Sequence, residues 1–169
     1  MSPRQLGLIA AALALVADQA SKLWLLEIFD IRARQPVHVL PFFDLVITWN
    51  KGVSYSLFQA HTDLARWGLL AFTLTATLVL AIWMWRSVNT LLSLGLGLIV
   101  GGALGNAIDR AAYGAVADFA HLFLDTEQWG RLSWYVFNIA DVAIVAGVAL
   151  LMYDSFFGKG KEETQAAEK

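Results

Sequence analysis

The sequence predicts an all-α membrane protein of four transmembrane helices, with short strands between the first two. Three observations carry this. The 169 residues are 58% hydrophobic and only 15% charged, against about 25% charged for a soluble domain, and mean hydropathy is +0.58. Four segments each supply the roughly 20 mostly apolar residues that a spanning helix needs. The ionisable residues inside those segments collect at one end.

The first span covers residues 6–26 and is interrupted by Asp18 and Lys22. It is expected to be a retained helix rather than a cleaved leader, because Arg4 is the only positive residue ahead of it and apolar residues resume at Leu23. The second span covers 64–85, with Arg66 near its start. The third covers 88–108 and carries no charge. The fourth covers 134–157 and contains Asp141 and Asp154. Together these make one domain, 1–158, followed by a polar tail, 159–169.

Four spans return the chain to the side on which it started. The two longest connections, 27–63 and 111–133, therefore share the opposite side, here called the loop side. Alternation in Val37-His38-Val39-Leu40 and β-branched residues up to Trp49 predict short strands in the first connection. Lys and Arg are spread over both sides, so the positive-inside rule does not orient the chain.

Composition excludes several chemistries. A net charge of −2 gives no basic surface for nucleic acid. The absence of cysteine removes disulfides, thiol catalysis and Cys-ligated metal. His38, His61 and His121 lack metal-ligand spacing, and the His121/Asp118 pair alone is a weak signal. No cofactor or metal is expected.

Ionisable groups within a membrane are costly and mark function or pairing. Asp18 and Lys22, four apart, share a helix face at the loop-side end of the first span. Asn106, Asp109 and Arg110 do so on the third, and Asn138 and Asp141 on the fourth. Asp118 lies in the connection that leads there. Simpler readings stand beside these: an interfacial Asp18–Lys22 anchor, a solvated Asp109–Arg110 pair, an interhelical hydrogen bond at Asn106, and close packing at Gly97, Gly101, Gly102 and Gly105. Asp141 is the hardest to explain so. It lies about one turn inside an apolar span, with no Lys or Arg three or four residues away.

A second carboxyl beside Asp141 would complete acid–base chemistry, since two carboxyls sharing a site divide into a proton holder and a base. Asp118, Asp109 and Asp18 are the candidates. Only Asp118 lacks a cation within four residues, and local charge favours it. A transporter or ion relay built on Asp141, Asp18 and Lys22 is the alternative, although a conduction path needs polar residues along its length. A scaffold packed around the third span is another.

Five blocks then resemble bacterial lipoprotein signal peptidase (signal peptidase II): Asp18-Gln19-Ala20-Ser21-Lys22, Asn50-Lys51-Gly52-Val53-Ser54-Tyr55-Ser56, residues 101–110 (GGALGNAIDR), Val116-Ala117-Asp118-Phe119 and Phe137-Asn138-Ile139-Ala140-Asp141. They occur in the family's order across nearly the whole chain. The resemblance implies a catalytic pair at Asp118 and Asp141. It implies support of that pair or of the substrate by Asp18, Lys22, Asn50, Gly52, Asn106, Asp109, Arg110, Asn138 and Ala140. It also implies an aspartyl endopeptidase of the bacterial inner membrane that cuts diacylated prolipoproteins just before the lipidated cysteine. Both termini would be cytoplasmic, with a β-cradle and short helix or loop on the periplasmic side. The partners implied are membrane lipid and the peptide inhibitor globomycin, with a monomeric enzyme and no nucleic acid. Arg110 or Lys22 is expected to hold substrate oxygens. Tyr55, Val136, Val142 and a longer Asp118–Asn138 stretch depart from the family's usual pattern.

Overall fold

The computed structural model describes residues 1–52 and 63–157. The predicted tail 159–169 and residues 53–56 of the second block lie outside the described residues. Helix α1, Pro3–Leu23, starts at a capping box in which Gln5 N–H donates to Ser2 Oγ and Ser2 N–H to Gln5 Oε1. It runs on as a π-helical turn, Trp24–Ile28, and a short helix α2 follows, Ile31–Arg34. Strands β1 (Val37–Leu40) and β2 (Phe43–Asn50) precede helices α3 (Asp63–Arg86) and α4 (Thr90–Tyr113). Strands β3 (Val116–Thr126) and β4 (Gly130–Ser133) then lead into α5, Ile139–Phe157.

Among the described residues, four helices are long and apolar enough to cross a membrane, covering Pro3–Ile28, Arg66–Arg86, Thr90–Tyr113 and Ile139–Phe157. Helix α4 is central: 56% of its most apolar window is buried, against 17–28% for the others. Its glycines allow this, as the packing reading expects. A Cβ on Gly97 would run into the Gly7 carbonyl of α1, and one on Gly102 would stand 2.5 Å from the Ala140 carbonyl of α5. Small residues let helix backbones approach where lipid supplies no hydrophobic drive. The matching stripe on α1 is Gly7, Ala10, Ala14, Asp18 and Lys22. Its helical spacing carries one face from small to charged as it nears the loop side.

The helix ends move from their expected places. The fourth helix starts at Ile139 rather than near 134, because residues 130–138 serve the sheet and its connection. The third extends to Tyr113, where Gly114 (φ 77°) ends it and donates its N–H to the Arg110 carbonyl. Arg66 adds to that end from α3, with Nε to the Arg110 carbonyl and Nη2 to the Ala111 carbonyl.

The larger correction concerns fold class. The protein is not all-α. Its loop side carries a four-stranded antiparallel sheet in the order β1-β2-β3-β4. Strands occupy 37–50 as expected, but β3 and β4 fill a connection in which none was expected. The first five residues of β3 are all buried, so no in–out alternation marks it. One face packs Ala117 and Phe119 into a cluster with Leu25, Leu26 and Ile31, which seats the sheet on the end of α1 and on α2. The other face carries Asp118 and looks toward the helix ends.

Candidate active site

Three buried polar residues of α1 and α4 form the floor. Lys22 Nζ lies 2.8 Å from Asp18 Oδ2 and 2.8 Å from Asp109 Oδ2, and 3.3 Å from Asn106 Oδ1. Asp18 is 0% exposed, Asp109 1% and Lys22 3%. Two simpler readings therefore fail. Asp18–Lys22 is no interfacial anchor, and Asp109 is no solvated partner of Arg110. The cation that α1 brings in faces an acid on α4, a pairing that spacing within one helix cannot reveal. Lys22 is also saturated and sealed, which contradicts the expectation that it holds substrate oxygens. Gln19, missing from the predicted set, joins the same cluster. Its Nε2 donates to Asp18 Oδ2 (3.1 Å), to Asp109 Oδ1 (3.0 Å) and to the Gly105 carbonyl (3.2 Å). Its signal was its place inside the Asp18–Lys22 block.

Each of the two floor acids fixes a backbone amide. Asp18 Oδ1 accepts from Ala140 N–H at 2.9 Å, and Asp109 Oδ2 accepts from Ala117 N–H at 3.0 Å. Ala140 immediately precedes Asp141, and Ala117 immediately precedes Asp118. The lysine bridge thus holds the starts of α5 and β3 together, and with them the two carboxyls above. The Ala140 amide sits in the first turn of α5, where helical N–H groups lack intrahelical partners and an anion is favoured. A carboxylate from another helix satisfies it.

Asp141 and Asp118 approach from different elements. Asp141 stands in the first turn of α5 in reciprocal capping with Asn138. Asp141 N–H donates to Asn138 Oδ1 (3.0 Å), and Asn138 N–H donates to Asp141 Oδ2 (3.2 Å). Asn138 therefore precedes the helix, where the sequence had placed it inside the span. Its Nδ2 donates to Asp118 Oδ1 at 2.6 Å and to Asn106 Oδ1 at 3.2 Å. Asn106 Nδ2 donates in turn to Asp141 Oδ1 at 3.0 Å. The two acids are thus joined through two side-chain amides, Asn138 and Asn106, contributed by two segments. Asn50, at the end of β2, donates to Asp118 Oδ2 at 3.1 Å and accepts from Gly52 N–H, also at 3.1 Å. A small buried Gly52 lets the chain turn there.

Burial pushes the Asp118 carboxyl up, with the Asp141 charge as the next cause, to about 6; hydrogen bonds from Asn50 and Asn138 and the Lys22 charge pull the other way. Arg110 lies within electrostatic range of Asp118, Asp141 and Asp109. Its Nη1 donates to the Asn106 carbonyl at 3.4 Å, while its buried Nε has no hydrogen-bond partner among the described residues. All eleven residues singled out in the sequence are among the described residues. All eleven, with Gln19, make hydrogen bonds or ion pairs in this one network, nine through their side chains and Gly52 and Ala140 through their backbone N–H groups. No trio of His, Asp or Glu side chains among the described residues gathers to hold a metal.

The arrangement defines a class first. A solved structure described as a bacterial membrane enzyme, determined in meso at 2.3 Å, superposes with a TM-score of 0.70 over 88% of each chain, at 25% identity. A second, determined at 1.9 Å, shares the fold with a TM-score of 0.72 at 24% identity. The fold is that of a membrane-embedded enzyme. The family described as signal peptidase (SPase) II matches residues 10–157. The chain is similar to the lipoprotein signal peptidase of Beijerinckia indica, 60% identical over 92% of this chain and 90% of that one. It is likewise similar to that of Methylocella silvestris, 58% identical over 93% and 89%. This chain belongs to the signal peptidase II family, a family of aspartyl peptidases.

Proposed function

We propose that the chain removes signal peptides from prolipoproteins that carry diacylglycerol on the cysteine after the cut, with Asp118 and Asp141 as the catalytic pair. The observation that carries this reading is the linking of the two carboxyls through the Asn138 and Asn106 side chains, on the side of the sheet that faces the helix ends. Asp118 is the member that keeps a proton, in keeping with its raised pKa. Asp141 is the base. It takes a proton from a water as the water's oxygen bonds to the scissile carbonyl carbon, while Asp118 gives its proton to the carbonyl oxygen. The resulting diol collapses, the C–N bond breaks, and the amine leaves with the proton that Asp141 gained. Asp118 recovers its own proton from the diol hydroxyl. Arg110 takes the substrate-holding role that Lys22 cannot, since its Nε is uncommitted among the described residues.

Cell placement follows the same reading: a multi-pass protein of the bacterial cytoplasmic membrane, acting as a monomer, with cytoplasmic termini including the 159–169 tail. The sheet and the acids lie toward the periplasmic face, with membrane lipid around the domain 1–158, and globomycin would inhibit. Membership of a peptidase family leaves the transporter reading without support. The test is processing in cells that lack this activity. Expression should convert the accumulated diacylated precursor to a product beginning at the modified cysteine, read by mass spectrometry. Persistence of the precursor with the chain present in the membrane would overturn the assignment.

A further inference from the structure

Arg66 is a cation at an unfavourable end of its own helix. It lies in the first turn of α3, Asp63–Arg86, where the helix dipole favours negative charge. Helices α3 and α4 are joined at residues 87–89, so the start of α3 lies beside the end of α4. That end has the opposite polarity. Its last four carbonyls lack donors within the helix, and cations are favoured there. Arg66 answers two of them, with Nε 3.1 Å from the Arg110 carbonyl oxygen and Nη2 2.8 Å from that of Ala111. Its guanidinium also packs on the Trp67 ring, with Cζ 5.1 Å from the centroid, and against Gly114, where an added Cβ would stand 3.3 Å from Cζ. A planar fork of donors suits two successive carbonyls in a way that a lysine does not.

What this end carries decides the consequence. Gly114 N–H shares the Arg110 carbonyl, at 3.1 Å, and β3 begins two residues later at Val116. Asp118 stands two residues into that strand. Residues 110–117 are therefore the joint between the helix that carries Arg110 and the strand that carries Asp118. On one side Asp109 Oδ2 holds the joint by accepting from Ala117 N–H at 3.0 Å. On the other, Arg66 holds it from α3. The simpler reading is an interfacial anchor, since the apolar span of α3 starts at Arg66 and cations at span ends reach for the interface. An anchor turns its guanidinium outward to water and headgroups. Here two of the guanidinium nitrogens are committed to α4 instead.

We infer that Arg66 is a positioning residue that clamps the joint between α4 and β3 and thereby fixes where Arg110 and Asp118 stand relative to Asp141. The clamp itself is independent of the peptidase reading; its effect on turnover rests on that reading.

The chain has no cysteine, so pairs of spin labels can be placed without background. Leu124→Cys on β3 with Val145→Cys on α5 reports on the joint, and Val16→Cys on α1 with Val145→Cys is the reference; all three side chains are more than half exposed. Distances are read by double electron–electron resonance in phosphatidylethanolamine–phosphatidylglycerol vesicles without substrate. Arg66→Met should broaden the 124–145 distribution and leave 16–145 unchanged. Arg66→Lys keeps an interfacial cation but not the fork, so it should broaden 124–145 too, and it decides the matter if Arg66→Met does not fold. In cleavage of a diacylated precursor, Arg66→Met should lower kcat about 10–100-fold, because a misplacement of about 1 Å costs about 100-fold. Unchanged 124–145 distances, or unchanged kcat in an enzyme whose distances have broadened, would overturn the inference. A wild type that cleaves nothing is instead a failure of the peptidase reading, and the labels alone then decide the clamp.

Discussion

At the scale of single residues, the site rests on an economy of charge. Among the described residues Lys22 is the one cation bonded to the floor acids, and it serves both Asp18 and Asp109. The two acids in turn serve the amides of Ala140 and Ala117. Removing one partner of a buried pair leaves an uncompensated charge, so these residues act together rather than singly. Above them, Asp118 has no directly bonded cation among the described residues, and burial pushes its pKa up to about 6. The sign follows. A carboxyl whose folded pKa exceeds its ordinary 3.8 favours folding while protonated. That contribution is full at low pH and is lost as pH rises through about 6. If Asp118 donates the proton, kcat/KM of the free enzyme should fall along a limb set by the coupled pair near that value. Asn50 lowers the Asp118 pKa by hydrogen bonding to the charged form. Asn50→Ala should therefore move the limb to higher pH in a pH–rate profile. A shift to lower pH would contradict the assignment of the proton to Asp118.

At the scale of elements, close packing and chemistry meet on α4. A Cβ on Gly105 would strike the Asp18 carboxylate, whereas one on Gly68 of α3 would meet nothing within 4 Å. Gly105→Ala should lower thermal stability in detergent by about 1–3 kcal/mol, the usual cost of overpacking, and should depress activity. Gly68→Ala should leave both nearly unchanged. The helices and their polar ends were legible because apolar length and helical spacing are local signals. So was Asp141, whose isolation from cations can be read within its own span. The pairing of Lys22 with Asp109 was not legible, because it joins α1 to α4 and depends on how closely their small residues let them approach. Strand β3 escaped notice because its buried start carries no alternation. Asn138 was misplaced by the same error: reading the fourth helix from residue 134 hid its position as the cap of a helix that begins at Ile139.

At the scale of the whole molecule, one construction principle accounts for the layout. Helix α4 stands in the middle, α1 and α5 lean on its glycines, and their loop-side ends converge. The sheet closes over that end and lowers Asp118 toward Asp141, so the pair is assembled from two elements that neither helix packing nor strand pairing alone would bring together. The polar network keeps to the loop-side end, while the opposite end is pinned by smaller contacts such as Asn89 Nδ2 on the Asp154 carboxylate, at 2.9 and 3.0 Å. The central claim is that Asp118 and Asp141 work as one unit. It is tested most directly by cleavage of a purified diacylated precursor by Asp118→Asn, Asp141→Asn and the double variant. Residues that act together are non-additive, so each single variant should lose about 10³–10⁴-fold in kcat and the double variant little more. Retention of near wild-type turnover by either single variant, or multiplicative losses in the double, would contradict it.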